Sequence, residues 1–279
     1  MKQIFFFFLF ILSTFSQQQK QTTLSIIILS SPKNRPELTK TVSDLCESLK
    51  HIPNELSINK ILLIKGCISN CDHPEFEEAV RTVQKSFPSI SVVTPTYEID
   101  SIDGLQNEEW IYETYSNMIS KITTDVSEWI YDTYRKYMIV NFYFIKAIDD
   151  IYQNTNSDYV LLSEDDQTYP KDTFLRIVKL TKNSNHKRIF SKISWCPYKW
   201  CKLRGNKRFT VDCQKDFVWG AWGALRSRKE MRMFLKWLKF SRMSESEDTL
   251  SHFLCESLNG EVEVDEISIY FGRDKNIPK

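Results

Sequence analysis

The sequence predicts an α/β protein in which a mostly parallel sheet is flanked by helices within a single domain. Apolar runs typical of buried strands alternate with segments whose apolar residues recur at helical spacing. Such alternation favours parallel strands joined by helical crossovers. The 279-residue chain, less a short N-terminal segment, has the length of one large α/β domain.

The predicted domain opens with a strand and a helix. The segment Leu24–Leu29 is rich in isoleucine and leucine, as in a strand that is buried on both faces. A turn follows over Ser30–Pro36, where serine, asparagine and proline cluster. Beyond it, a helix is predicted from the spacing of its apolar residues, which are Leu38, Val42, Leu45 and Leu49.

The next elements repeat this pattern. Lys60–Ile64 and Ile90–Val93 are predicted strands, and the residues Phe76, Val80 and Val83 mark a helix between them. A long helical region is predicted from about Trp110 to Ile151, and it leads into another apolar strand. The first half of the domain therefore consists of strands that alternate with helices.

Three elements are predicted after that strand. Pro170 is suited to the first position of a helix, because proline lacks the N–H that would be unsatisfied there. Ile189–Trp195 has the composition of a strand. A late helix is predicted around Met231, Phe234 and Leu238.

Three consecutive carboxylates, Glu164, Asp165 and Asp166, follow the apolar segment Asp158–Ser163. Side chains at the carboxyl end of such a strand reach the crevice where open α/β sheets bind ligands. Mg²⁺ and Mn²⁺ prefer oxygen ligands and keep coordination positions for substrate phosphates. The pattern therefore indicates a divalent cation that binds together with a nucleoside diphosphate. A solvated turn that caps the following helix is the alternative interpretation.

The N-terminus predicts targeting to the secretory pathway. The apolar run Ile4–Phe15 is about 12 residues long, whereas a membrane-spanning helix needs roughly 20. We therefore expect a cleaved signal peptide, with a retained signal anchor as the alternative. The polar tract Gln17–Gln21 is predicted to be a short stem. Residues 1–21 are thus assigned to signal and stem, and residues 22–279 to the domain, in the lumen of the secretory pathway or outside the cell.

Charge and cysteine content limit the partners and the cofactors. The 37 basic and 36 acidic residues give a formal net charge of +1, which does not favour nucleic acid as a partner. Seven cysteines in a secreted chain indicate disulfides, and we predict the pairs Cys67–Cys71 and Cys196–Cys213. A zinc site at Cys196, Cys201 and Cys213 is the alternative, although the spacing lacks Cys-x2-Cys pairs.

The order of these motifs resembles the GT-A glycosyltransferases, among them the N-acetylglucosaminyltransferase IV group and the GPI-glycan N-acetylgalactosamine transferase. The resemblance covers most of residues 24–260. It implies a Rossmann-like GT-A domain. The resemblance is specific for the fold and indicates the substrate only weakly. The matching residues are Arg35 in the first turn, Tyr159–Asp166, the glycines Gly220 and Gly223 before a helix, and Ser246–Leu250.

The resemblance implies roles for the acidic strand end and for the first turn. In these enzymes the acidic motif contacts the sugar nucleotide, as Glu164 would here. Asp166 would be the direct ligand of Mn²⁺ or Mg²⁺, and Asp165 would assist through water or the donor ribose. Ser30 and Arg35 would hold the nucleotide, because a planar guanidinium pairs well with a diphosphate. Arg35 covering only the helix start is the alternative.

The resemblance also implies an acidic residue at the start of a late helix. Asp248 matches that position better than Glu247, and it would take the proton from the acceptor hydroxyl. Helix capping by Ser244 or Ser246, with the acids in the first turn, is the alternative. His252 lies one turn later and is either a further metal or acceptor contact or a structural residue.

These observations predict a metal-dependent, inverting glycosyltransferase of the secretory pathway. It would transfer a hexose or N-acetylhexosamine from a UDP-sugar to a glycan or a GPI glycan. A secreted glycan-binding protein without catalysis is the alternative, suggested by the basic segment Cys196–Lys215 with its neighbouring tryptophans. A nucleotide-sugar pyrophosphorylase is disfavoured, because Ser30–Pro36 contains no glycine for a phosphate loop.

Overall fold

The structure of the protein is a computed structural model. It describes residues 21–31, 37–66, 72–89, 91–93, 142–182, 188–192, 209–212, 224–241, 261–264 and 269–270. Ten strands lie in these ranges: β1 Thr22–Ser30, β2 Leu56–Lys65, β3 Ser91–Val93, β4 Tyr159–Glu164, β5 Gln167–Thr168, β6 Arg188–Lys192, β7 Phe209–Asp212, β8 Ala224–Ser227, β9 Glu261–Val264 and β10 Ile269–Tyr270. The helices are α1 Leu38–Leu49, α2 Phe76–Ser86, α3 at 142–154, α4 Thr173–Lys182 and α5 Arg228–Ser241.

The described strands form a mixed, mostly parallel sheet in the order β3-β2-β1-β4-β8-β6-β9-β7. The first four strands are parallel to one another, and β8 lies antiparallel to both β4 and β6. A separate two-stranded ladder joins β5 to β10. The predicted fold class, a mostly parallel sheet flanked by helices, is confirmed.

Strand β1 lies in the middle of the parallel half and is buried from Leu24 to Ser30. Ile26 and Ile28 pack in one apolar cluster with α1, α2 and α4. The opposite face carries Ile27, and there Lys60 of β2 forms an ion pair of 2.7 Å with Asp150 of α3. Helices therefore cover both faces, which explains why β1 has no polar side.

Strand β2 begins four residues earlier than its apolar run predicted. Its first half contains Ser57 and Asn59, so it lacks the continuous apolar run on which the prediction rested. The pairing with β1 shifts at this point, which leaves Asn59 as an extra residue in β2. The Asn59 side chain donates a hydrogen bond of 3.1 Å to the Ser157 hydroxyl, so the irregular position has a polar partner.

Helix α4 begins later than predicted. Pro170 is in a turn, where its carbonyl oxygen accepts hydrogen bonds of 3.0 Å from the Thr173 amide and from the Ser48 hydroxyl. The first α-helical bond runs from the Arg176 amide to the Asp172 carbonyl oxygen. The prediction of Pro170 as the first helical residue was wrong, because its carbonyl oxygen belongs to a turn tied to α1 by the Ser48 hydroxyl.

The other predicted elements agree within the described ranges. Helices α1, α2 and α5 lie where their apolar spacing predicted, and residues 142–151 of the predicted long helical region are helical. Within the described ranges, no helix has both the length and the apolarity needed to cross a membrane. The only described cysteine, Cys46, is a buried free thiol, and the other six cysteines lie outside the described residues.

Candidate functional site at the carboxyl edge of the sheet

The strand order reverses between β1 and β4. From β1 the chain adds β2 and β3 on one side, and then returns to place β4 on the other side. Leu29 pairs with Glu164, so both strands end at the same edge of the sheet. Ligands of open α/β sheets bind outside the carboxyl ends of strands at such a reversal. The acidic triplet therefore lies at the position where a ligand is expected.

Asp165 is tied to the end of β1. The Ser30 hydroxyl donates a hydrogen bond of 2.5 Å to Oδ2 of Asp165, and Nε2 of His73 lies 2.7 Å from the same hydroxyl oxygen. All three side chains are buried, with exposures of 1% for Ser30, 3% for Asp165 and 8% for His73. Three segments that are distant in sequence thus meet in one hydrogen-bonded chain.

The proton positions in this chain follow from chemistry. A hydroxyl has one proton to donate, and the Ser30 proton is directed at Asp165. Ser30 must therefore accept from His73, which requires a proton on Nε2. Burial lowers the pKa of His73, and the negative charge of Asp165 opposes that shift only in part. Burial therefore favours the neutral imidazole, and the bond to Ser30 places its proton on Nε2.

The backbone of the acidic turn is held by helix α1. The Thr41 hydroxyl donates 2.8 Å to the Asp165 carbonyl oxygen and accepts 3.2 Å from the Gln167 amide. Thr41 is fully buried. One side chain therefore fixes the peptide groups on both sides of Asp166, and the direction of the Asp166 side chain depends on them.

A polar group behind the turn supports the same residues. The buried Ser163 hydroxyl is hydrogen-bonded to the Tyr169 hydroxyl and to Oε1 of Gln167, the latter at 3.0 Å. Burial raises the pKa of Tyr169, and the negative charge of Asp166 acts in the same direction. Tyr169 is therefore an un-ionised phenol at neutral pH. The charge of this cluster resides on the carboxylates.

The end of β2 closes against the end of β1 at Gly66. Its amide donates 2.7 Å to the Ser30 carbonyl oxygen, and its carbonyl oxygen accepts 2.8 Å from the Ser31 hydroxyl. A Cβ atom on Gly66 would lie 2.7 Å from Cδ1 of Leu29, which is closer than carbon atoms approach in folded proteins. The absence of a side chain lets the two strand ends meet.

The N-terminus of α1 is occupied by a carboxylate of the protein. Oε2 of Glu75 accepts hydrogen bonds of 2.8 Å from the Leu38 amide and 3.4 Å from the Thr39 amide. These amides are the groups that a phosphate bound at a helix N-terminus would need. Glu75 therefore occupies the place that a phosphate bound at the α1 N-terminus would take.

The structure brings together some of the predicted site residues. Ser30, Asp165 and Asp166 lie at one edge with Glu164, and the two aspartates are buried. The other predicted site residues, Arg35, Glu247, Asp248 and His252, lie outside the described residues, as does the basic segment Cys196–Lys215. The predicted roles are not tested by these positions and stay predictions.

Two residues of the site were not identified from the sequence. His73 lies in the loop after β2, and the carboxyl ends of neighbouring parallel strands share one edge. That rule could have suggested His73 as a neighbour of Ser30. Thr41 gave no comparable signal, because it is one of several polar residues in an amphipathic helix.

The donor atoms present suit a hard divalent cation. Within the described ranges no three His, Cys, Asp or Glu side chains are grouped to hold a metal ion. Asp165 and Asp166 offer carboxylate oxygens, and Mg²⁺ typically uses one or two carboxylates and completes its shell with water and substrate phosphates. The residues therefore fit a cation that binds with a phosphorylated ligand, and they do not form an all-protein cage.

Comparison with known proteins gives similarity in three dimensions only. No family model matches the sequence, and no curated protein matches it. A mannosyltransferase from Pyrobaculum calidifontis in complex with GDP-Man and Mn²⁺ has a TM-score of 0.48 at 10% identity, over 90% of this chain and 58% of that one. This chain thus spans little more than half the length of the mannosyltransferase.

Two further solved structures are similar. Mouse xyloside xylosyltransferase 1 has a TM-score of 0.47 at 8% identity, over 92% of this chain and 100% of that one. A CMP:2-keto-3-deoxy-manno-octonic acid synthetase complexed with CTP has a TM-score of 0.41 at 8% identity, over 88% of this chain and 90% of that one.

Proposed function

We propose that this protein is a metal-dependent, inverting glycosyltransferase of the secretory pathway. Its donor would be a UDP-sugar carrying a hexose or an N-acetylhexosamine, and its acceptor a glycan or a GPI glycan. The observation that carries the proposal is the pair of buried carboxylates, Asp165 and Asp166, held where the strand order reverses between β1 and β4. The resemblance of the sequence motifs to GT-A enzymes adds the reaction type.

The chemistry needs negative charge to be stabilised at this edge. The acceptor oxygen forms a bond to the anomeric carbon as the bond from that carbon to the diphosphate oxygen breaks. Mn²⁺ or Mg²⁺, when bound, supplies Lewis-acid stabilisation of the leaving diphosphate. Asp166 would hold the cation directly, Asp165 would hold it through water or contact the ribose, and Glu164 would contact the sugar nucleotide.

The remaining roles are assigned to residues around that pair. Asp248, with Glu247 beside it, would take the proton of the acceptor hydroxyl, so that the proton leaves as the new bond forms. Arg35 would pair with the diphosphate, and His252 would contact metal or acceptor. Entry into the secretory pathway, with disulfides formed there, is supported by the apolar run Ile4–Phe15.

A thermal-stability screen tests the donor and the metal. Purified protein is heated with UDP-GlcNAc, UDP-GalNAc, UDP-Gal or GDP-Man, each with Mn²⁺ or with EDTA. A ligand at a hundredfold excess over its Kd stabilises the folded state by about 2.7 kcal/mol. We expect one UDP-sugar to raise the melting temperature by several degrees with Mn²⁺, and much less with EDTA.

Substitution locates the effect. Asp166→Asn is expected to abolish the Mn²⁺-dependent stabilisation, whereas Asp149→Asn, at an exposed position of α3, keeps it. Release of UDP in the presence of a glycan acceptor then measures turnover. If no nucleotide sugar stabilises the protein under either condition, the proposal fails. Binding of a glycan that survives EDTA and the Asp166 change, without UDP release, would favour the non-catalytic alternative.

A further inference from the structure

A series of hydrogen bonds from His73 through Ser30 to Asp165 is a second support at the same edge: it holds the Asp165 side chain, whereas Thr41 holds the Asp165 backbone. Ser30 ends β1, Asp165 follows β4, and His73 lies in the loop after β2. The two contacts are 2.7 Å and 2.5 Å. This series therefore connects three adjacent parallel strands through side chains, at the place where their backbone pairing stops.

A proton on Nε2 of His73 prevents that nitrogen from competing with Asp165 for the Ser30 proton. A free hydroxyl rotates and would donate to any nearby acceptor. With Nε2–H of His73 directed at the Ser30 oxygen, the Ser30 proton must turn away from His73, and it is directed at Oδ2 of Asp165. A charge-assisted bond to a carboxylate is about twice as strong as a neutral one, so this arrangement fixes the Asp165 rotamer.

Because the three side chains are buried, losing one of their hydrogen bonds would destabilise the arrangement. Ser30, Asp165 and His73 are almost inaccessible to water, so solvent cannot replace a missing partner without rearrangement. Groups that orient the ligands of a metal in this way typically change its affinity by 10–100-fold when they are removed. His73 has no described contact with Asp166, the predicted metal ligand. It acts on the site through Ser30.

We propose that His73 is a positioning residue for the cation and nucleotide site: its Nε2–H orients the Ser30 hydroxyl, which holds Asp165 in the rotamer that serves the bound cation. This inference rests on the proposed function, since it assumes a divalent cation at the acidic turn. It assigns Ser30 to the support of Asp165, whereas the sequence had suggested a nucleotide contact.

Two substitutions of His73 separate this role from simple packing. The His73 ring also packs on Phe76, with 5.6 Å between ring centroids. His73→Phe keeps an aromatic ring there and removes the donor. His73→Gln removes the ring, yet its amide N–H lies as many bonds from the backbone as Nε2 of histidine. A packing role and a hydrogen-bonding role therefore predict opposite results.

The experiment measures Mn²⁺ binding by titration calorimetry, alone and with saturating UDP, alongside the melting temperature of each variant. We expect His73→Phe and Ser30→Ala to raise the half-saturating Mn²⁺ concentration about tenfold. His73→Gln should stay within about twofold of the wild type. The double variant that combines His73→Phe with Ser30→Ala should bind Mn²⁺ no more weakly than Ser30→Ala alone, because both changes interrupt the same series of hydrogen bonds. His51→Phe, at an exposed histidine, is the control.

The outcomes are distinct. A wild type that binds Mn²⁺ while all variants bind it equally well overturns this inference and leaves the proposed function standing. The reverse pattern, with His73→Phe normal and His73→Gln weak, shows a packing role and also overturns it. If the wild type does not bind Mn²⁺, either alone or with UDP, both proposals fail. If His73→Phe does not fold, the comparison of Ser30→Ala with His73→Gln decides.

Discussion

The hydroxyl of Thr41 donates a hydrogen bond of 2.8 Å to the carbonyl oxygen of Asp165. Thr41 lies in the first turn of α1, and Asp165 is 124 residues further along the chain. The acidic turn is thus held by a helix that comes much earlier in the chain, before strands β2, β3 and β4. Stability of α1 and geometry of the turn are coupled through this contact.

Replacing Thr41 by valine tests that coupling, because the two side chains have nearly the same shape. The Asp165 carbonyl oxygen and the Gln167 amide both lose the partner that Thr41 supplies. Loss of buried hydrogen bonds at one residue costs about 1–3 kcal/mol. We expect urea unfolding to show that decrease, together with weaker Mn²⁺-dependent nucleotide binding. Thr39→Val on the same helix is the control, and an equal loss there would contradict the assignment.

Gly66→Ala is expected to separate the ends of β1 and β2. The new methyl group would lie 2.7 Å from Cδ1 of Leu29 and 3.3 Å from the Ser30 carbonyl oxygen. Overpacking of a buried site costs about 1–3 kcal/mol. Leu29→Val removes the Cδ1 atom, so the glycine substitution should cost less in that background. A double-mutant cycle by urea denaturation measures the difference, and strict additivity would show that the Leu29 contact is not the cause.

Glu75→Ala is expected to weaken the start of α1 by about 1 kcal/mol, since the Leu38 amide loses its acceptor. Glu75→Gln keeps a side-chain oxygen and should lose less. Glu37 is the N-cap residue of α1 and makes no side-chain capping bond, so Glu37→Ala is the matched control. Equal destabilisation by the changes at 37 and 75, in urea unfolding, would argue against capping from the neighbouring loop.

The parallel half of the fold could be predicted because its information is local. The isoleucine run of β1 and the helical spacing of α1 each encode one element, and the rule that parallel strands share a carboxyl edge brings Ser30 close to Asp165. The site was predicted as far as that rule reaches. The acids and the first serine follow from it, since each directly ends a strand.

The rest depends on contacts between distant segments. Strand β8 inserts antiparallel between β4 and β6, and a short segment of four residues gives no sign of its direction. The bond from Thr41 to the acidic turn and the cap from Glu75 to α1 also arise only after folding. Local sequence patterns do not indicate which distant residues become partners. The start of α4 was misplaced for this reason, since Pro170 is bonded to Ser48 of α1.

The burial of an ionisable group at the opposite edge of the sheet could not be predicted either. Ser227 and Glu230 form a capping box at the start of α5: the Glu230 amide donates 3.3 Å to the Ser227 hydroxyl, and the Ser227 amide donates to the Glu230 carboxylate. Arg226 is buried beside them, with its guanidinium 4.4 Å from the Phe234 ring centroid. Burial raises the pKa of Glu230 to about 7, although hydrogen bonds from Ser227 and the charge of Arg226 oppose the shift.

The raised pKa of Glu230 predicts a loss of stability as pH rises. The unfolded carboxyl titrates near 4.5 and the folded one near 7, so between these values the folded state binds a proton that the unfolded state has released. The free energy of unfolding should therefore fall by roughly 2 kcal/mol from this group between pH 5 and pH 7. Glu230→Gln keeps an oxygen acceptor for the Ser227 amide and cannot ionise.

That variant should lack this component of the pH dependence. Urea unfolding at pH 5, 6, 7 and 8 measures it, with the exposed Glu77→Gln as the control that retains the wild-type slope. The stability of Glu230→Gln relative to the wild type should rise steadily from pH 5 to 7 and then level off, because the wild-type carboxyl is ionised above its folded pKa. A constant difference across the range would mean that Glu230 has the same pKa in the folded and unfolded states, despite its burial.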